Sequence, residues 1–88
     1  MNESAGLLEN VRQVLMSDWD PIGIRDVSEA RDEYDDYARQ IVRRLAAGAS
    51  TAELCKRLLE IETAAMGLPG NRERANEAAR KLWRIANP

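Results

Sequence analysis

The chain has no histidine and a single cysteine, Cys55. The first absence removes Ser-His-Asp and Cys-His nucleophilic machinery, imidazole general bases and every histidine-containing zinc set. The second forbids an internal disulfide and an all-cysteine zinc site, and it fits a reducing cytoplasm. Neither a Gly-x-x-x-x-Gly-Lys-Ser/Thr phosphate loop nor a Gly-x-Gly-x-x-Gly dinucleotide fingerprint occurs. No apolar run approaches the roughly 20 residues of a membrane span. The opening Met1-Asn2-Glu3-Ser4-Ala5-Gly6 carries no basic region, so no secretory signal is expected. These absences set the expectation of a cytoplasmic protein that needs no cofactor or membrane and is not an enzyme. Carboxylate chemistry or an oxygen-ligand cation site is the chemistry left open.

Strand signals are missing as well. Val, Ile and Thr are sparse and helically spaced, and no alternating apolar run is bounded by turn residues. Eighty-eight residues, 32% charged and 44% hydrophobic, suit one globular domain spanning 1–88 with a single small core. Its stability should be about 4–13 kcal/mol at the usual value per residue.

The apolar residues fall into four helical stripes. Leu7, Leu8, Val11, Val14, Leu15 and Trp19 form the first, with Ser4 as its cap and Pro21 and Gly23 as its breakers. The second is expected to start near Asp26 to Glu29, reading Asp26-Val27-Ser28-Glu29 as a capping box. It carries Tyr34, Tyr37 or Ala38, Ile41, Val42 and Leu45, and ends at Gly48. Ser50-Thr51-Ala52-Glu53 opens the third, which buries Leu54, Leu58, Ile61 and Ala65 beside Cys55 and Met66. Gly67-Leu68-Pro69-Gly70 stops it. Asn71 caps the fourth, with Ala75, Ala78 or Ala79, Leu82 and Ala86 inward and Trp83 and Ile85 at the margin. The fold class expected is all-α, a compact antiparallel bundle of about four short helices.

Against this ordinary background one segment stands out. Asp18, Asp20, Asp26, Glu29, Asp32, Glu33, Asp35 and Asp36 face only Arg25 and Arg31, eight acids against two bases, a balance of minus six. Both tyrosines and Trp19 lie in the same stretch, extended to Tyr37. Two of its elements are Trp19-Asp20-Pro21-Ile22-Gly23 and Asp32-Glu33-Tyr34-Asp35-Asp36-Tyr37. In both, the chain resembles a widespread group of small uncharacterised bacterial proteins with a WDPIG element followed by DEYDxY, some of them in a domain-of-unknown-function family. Met66-Gly67-Leu68 fits the same group. The resemblance implies a small helical bacterial protein and conveys no activity.

Physically the segment admits several readings. The plainest is architectural: Trp19 anchors the first helix end, Pro21 and Gly23 reverse the chain, and Asp20 binds loop amides. Acids in the first turn of the second helix then complement its dipole. With that helix starting near residue 26, Asp35 and Asp36 lie beyond its first turn and need another reason, which pairing with Arg39 supplies in part. A cation reading sets Asp18, Asp20, Gly23, Asp26 and Glu29 at calcium-loop positions 1, 3, 6, 9 and 12. Ile22 and Arg25 at positions 5 and 8 break the pattern. These four acids are the weak metal candidates, and no metal is expected.

A third reading makes Asp32, Glu33, Tyr34, Asp35, Asp36 and Tyr37 an acidic, aromatic face for another protein with a basic surface. Acids speed such an encounter and aromatics anchor it. An immunity protein masking a cationic toxin is one concrete form. A carboxylate-based or cation-binding site centred on Asp18–Glu29 is the alternative function. Residues 37–88 hold ten bases against five acids, yet a pI near 5.1 argues against a nucleic-acid partner. Cys55, beside the Leu54/Leu58 stripe, reads as a small buried hydrophobe. The oligomeric state is not legible.

Overall fold

The computed structural model describes residues 3–24, 26–27 and 32–87, with side chains described from Gly6 onward. It contains four helices, and no strand occurs among the described residues. They are α1 (Glu3–Val14), α2 (Asp35–Ala46), α3 (Thr51–Glu60) and α4 (Arg72–Ala86). Both α1 and α3 run on into a widened π-type turn, Leu15–Trp19 and Ile61–Ala65 respectively. The α3 and α4 helices pack most extensively, and α1 bridges α2 and α4. The radius of gyration, 12.1 Å, matches the value of about 12 Å for a compact chain of this length.

One buried cluster draws on all four helices. Val11, Leu15 and Trp19 meet Ala38, Ile41 and Leu45 of α2, Leu54 and Leu58 of α3, Ile61 of the turn after it, and Ala75, Ala78, Ala79 and Leu82 of α4. Ala75, Ala78 and Ala79 put little bulk on the buried face of α4, against which α3 and α1 pack. Cys55 is buried among these residues.

Helix ends follow the expected chemistry at three places. The Ser50 hydroxyl accepts from the Glu53 amide at 3.1 Å, and the Asn71 side chain accepts from the Arg74 amide at 3.0 Å. At the end of α2, the Ala49 amide donates to the Arg44 carbonyl and the Gly48 amide to the Leu45 carbonyl. This pair of bonds is the Schellman arrangement, and it needs the left-handed φ of +84° that Gly48 adopts.

The second helix starts later than its sequence suggested. Asp26 and Val27 lie in a turn, α2 begins at Asp35, and Ser28 and Glu29 lie outside the described residues. Asp35 and Asp36 are thus the first turn of α2, where the helix dipole favours negative charge. The described residues between Trp19 and Asp35 form turns and irregular chain instead of helix. Ser4 lies inside α1, so it is not that helix's cap.

Two expected core alanines are exposed: Ala65 and Ala86. For Ala65 the cause is the π turn, closed by the Met66 amide on the Ile61 carbonyl at 3.0 Å. A five-residue turn carries one residue more than an α turn, so half-buried Met66 returns toward the core in place of Ala65. Ala86 belongs to the final turn of α4. Trp83, expected at a core margin, is 38% exposed.

Candidate functional site

The WDPIG element is built around a reversal that strains its own backbone. The widened turn after α1 closes with the Asp20 amide donating to the Leu15 carbonyl at 2.7 Å. Asp20 then adopts φ of +31° and ψ of 60°, a left-handed conformation disfavoured for a residue with a Cβ. Its side chain offsets that strain. Asp20 Oδ1 accepts from the Ile24 amide and from the Tyr34 hydroxyl, both at 2.8 Å. Gly23, with φ of +67°, completes the reversal and donates to the Asp20 carbonyl at 3.2 Å. Burial, reinforced by the hydrogen bond to Asp20, pushes the Tyr34 hydroxyl well above the usual phenol range. Tyr34 therefore remains a neutral donor to Asp20.

Trp19 joins this reversal to the opposite side of the molecule. Its ring lies against Tyr34 with centroids 5.4 Å apart and meets Tyr37 edge-on at 6.4 Å. The indole Nε1 donates to Glu62 Oε2 at 3.0 Å. Glu62 is fully buried, and its other oxygen accepts from the Asn71 amide at 3.1 Å and from Arg74 Nη2 at 2.6 Å. Because Oε2 is taken by the indole, Arg74 makes a one-pronged contact, and its Nε is buried without a protein partner. The carboxylate thus ties together the end of α1, the turn after α3 and the start of α4. Each π turn carries one partner of the Trp19–Glu62 bond.

Sequence reasoning missed Glu62, although a signal was present. It lies four residues after Leu58 and eight after Leu54, on the apolar stripe of α3, where an acid needs buried donors. Arg74 drew notice only as one of the bases of the second half.

The candidate residues separate into two sets. Tyr34 is buried, and Tyr37 is half-buried against Trp19. Asp35 is 23% exposed and pairs with Arg12 Nε at 2.8 Å, linking α2 to α1. Asp32, Glu33 and Asp36 are exposed. The Asp36 side chain is 89% exposed and touches Arg39 at 3.0 Å. The six residues do not form one surface: two rings face inward, one acid holds two helices together, and three acids face outward.

The three described cation candidates are also dispersed in role. Asp18 Oδ1 receives Lys81 Nζ at 2.7 Å, a link from the first π turn to α4. Asp20 is committed to Ile24 and Tyr34, Asp26 is exposed, and Glu29 lies outside the described residues. Among the described residues the next helix, α2, starts at Asp35. Among the described residues no three His, Cys, Asp or Glu side chains are grouped to hold a metal ion.

No family model, curated protein or solved structure matches this chain. Among the described residues no helix is long and apolar enough to cross a membrane.

Proposed function

We propose that the protein is a non-catalytic binding module that presents Asp32, Glu33 and Asp36 to a cationic surface of another protein. The observation that carries this reading is a division of labour within residues 18–37. The aromatic rings, Asp20 and Asp35 are occupied in holding the fold, whereas these three acids are exposed. The same segment also exposes two aliphatic side chains, Ile22 at 45% and Val27 at 44%. Exposed acids accelerate encounter with a basic partner, and the aliphatic residues supply desolvated contact once it has formed. An immunity-type inhibitor that covers a cationic toxin is one form of such a module. The bacterial setting rests on the WDPIG and DEYDxY resemblance.

The buried acids support the non-catalytic part. Glu62 is sealed by three donors, and buried Asp20 holds the Ile24 amide and the Tyr34 hydroxyl on Oδ1, so both carboxylates serve the fold.

Capture from a lysate of the native cells tests the proposal, with wild type compared to Asp32→Asn/Glu33→Gln/Asp36→Asn. A basic protein recovered by wild type, and lost both with the variant and at high salt, supports it. Equal recovery by wild type and variant sinks it.

A further inference from the structure

We propose that the chain also pairs with a second copy of itself through the outer face of α2, the two helices lying antiparallel across a twofold axis. This goes beyond the acidic-segment reading and does not rest on it, although both use Asp36. Asp36, Arg39, Gln40 and Arg43 stand at i, i+3, i+4 and i+7, so they form one ridge. Of these, Gln40 is half-buried and the other three are exposed. Two shallow, open depressions adjoin the ridge. One is lined by Leu8, Arg39, Val42 and Arg43, the other by Gln40, Arg43, Arg44 and Ala47, each about 330 Å³. Ridge side chains of one helix pack into such depressions on another.

Charge along the ridge selects α2 of a second copy as the occupant. Its N-terminal end carries Asp36, and its C-terminal end carries Arg43 and Arg44, which have no ion-pair partner among the described residues. Asp36 and Arg43 are separated by about 10 Å along the axis, seven residues at about 1.5 Å each. When a second α2 is laid antiparallel, with the twofold axis passing between residues 39 and 40, Asp36 of each copy faces Arg43 of the other. Every favourable contact then occurs twice, as an isologous interface requires. Parallel helices in register would set like charges against each other. Arg39, near the axis, is already paired with Asp36 Oδ1. The second oxygen of the same exposed carboxylate remains for the incoming Arg43. Half-buried Leu8 and Val42 supply apolar contact beside the axis.

Analytical ultracentrifugation of the purified chain alone tests this, so its outcome is separate from capture of any other protein. The expected result is a species of twice the 9.9 kDa chain mass that dissociates as salt rises. Arg43→Glu and Asp36→Arg should each weaken self-association at least about tenfold. An equimolar mixture of the two variants should regain the dimer, because each acid then faces a base across both contacts. Helix content by circular dichroism checks that each variant folds. If one does not, Asp36→Asn and Arg43→Gln probe the same contact and should weaken it about threefold or more. A monomer at all concentrations and salts overturns the proposal. So does a dimer indifferent to these substitutions, or a mixture of folded charge-swap variants that stays monomeric.

Discussion

Asp20 and Asp36 belong to the same acid-rich stretch, yet their carboxylates have opposite surroundings. Asp20 is buried in a left-handed turn and held by an amide and a phenol, whereas Asp36 is exposed on a helix start beside Arg39. The difference shows that local acid density is not one feature with one cause. At position 20 the charge secures a strained backbone that Pro21 and Gly23 make possible. At 36 it meets the α2 dipole and one neighbouring base, and most of the carboxylate remains open to partners. Glu62 extends the first kind to another helix, and Asp32 and Glu33 extend the second.

The sharpest test of the contrast removes the ring at the centre of the buried side. Trp19→Ala should cost about 3–5 kcal/mol through the cavity it leaves, with a further loss because Glu62 is deprived of a donor. Chemical denaturation measures this, and a loss under about 1 kcal/mol would dissolve the distinction between the two regions. Glu62→Gln keeps the volume but removes the charge that Arg74 and the indole address, and should cost about 1.5–3 kcal/mol.

Tyr34→Phe should cost about 1–2 kcal/mol near neutral pH by depriving Asp20 of a donor. It should also change the alkaline limb of the stability curve. The unfolded chain releases the phenolic proton near pH 10, whereas the folded chain retains it to higher pH. The unfolded state therefore binds fewer protons above about pH 10, and wild type loses about 1.4 kcal/mol per pH unit there from this group. Denaturant titrations at stepped pH should show that extra slope in wild type and not in the Phe variant.

At the exposed end, Asp32→Asn/Glu33→Gln/Asp36→Asn should shift stability by less than about 1 kcal/mol, since exposed charges and dipole contacts contribute little. Thermal unfolding checks it. Asp35 is excluded from this set because its bond to Arg12 joins two helices. A large loss in the triple variant would mean that the outer acids share the structural task of Asp20 and Glu62.

The helices were legible wherever apolar spacing and capping coincided. Ser50, Asn71 and Gly48 act as their sequence positions indicate, and Trp19 is buried where the α1 stripe points. The start of α2 was not, because Asp26-Val27-Ser28-Glu29 imitates a capping box without an apolar stripe immediately after it. The widened turns were also hidden: a π turn substitutes one hydrogen-bond span for another and leaves no marker in residue type. Their consequence, Ala65 outside and Met66 inward, contradicts α periodicity for that reason. Glu62 was readable from its place on the α3 stripe, but its donors come from Trp19, Asn71 and Arg74, and only the folded chain brings these together. For the candidate face, the acids 32, 33 and 36 were legible as surface. The tyrosines were ambiguous because anchoring a partner and anchoring a core call for the same side chain.

The two tryptophans differ in exposure, Trp19 sealed against Glu62 and Trp83 38% exposed on α4. Indole emission moves to longer wavelength as solvent reaches the ring, so the protein carries two intrinsic fluorescent reporters with separate readouts. Quenching by a dissolved acrylamide probe should silence Trp83 first and leave a blue-shifted signal from Trp19. With Trp83→Phe, the remaining emission follows the buried junction of α1, α3 and α4 alone. With Trp83 present, contact made on the outer surface of α4 becomes visible while the core signal stays still.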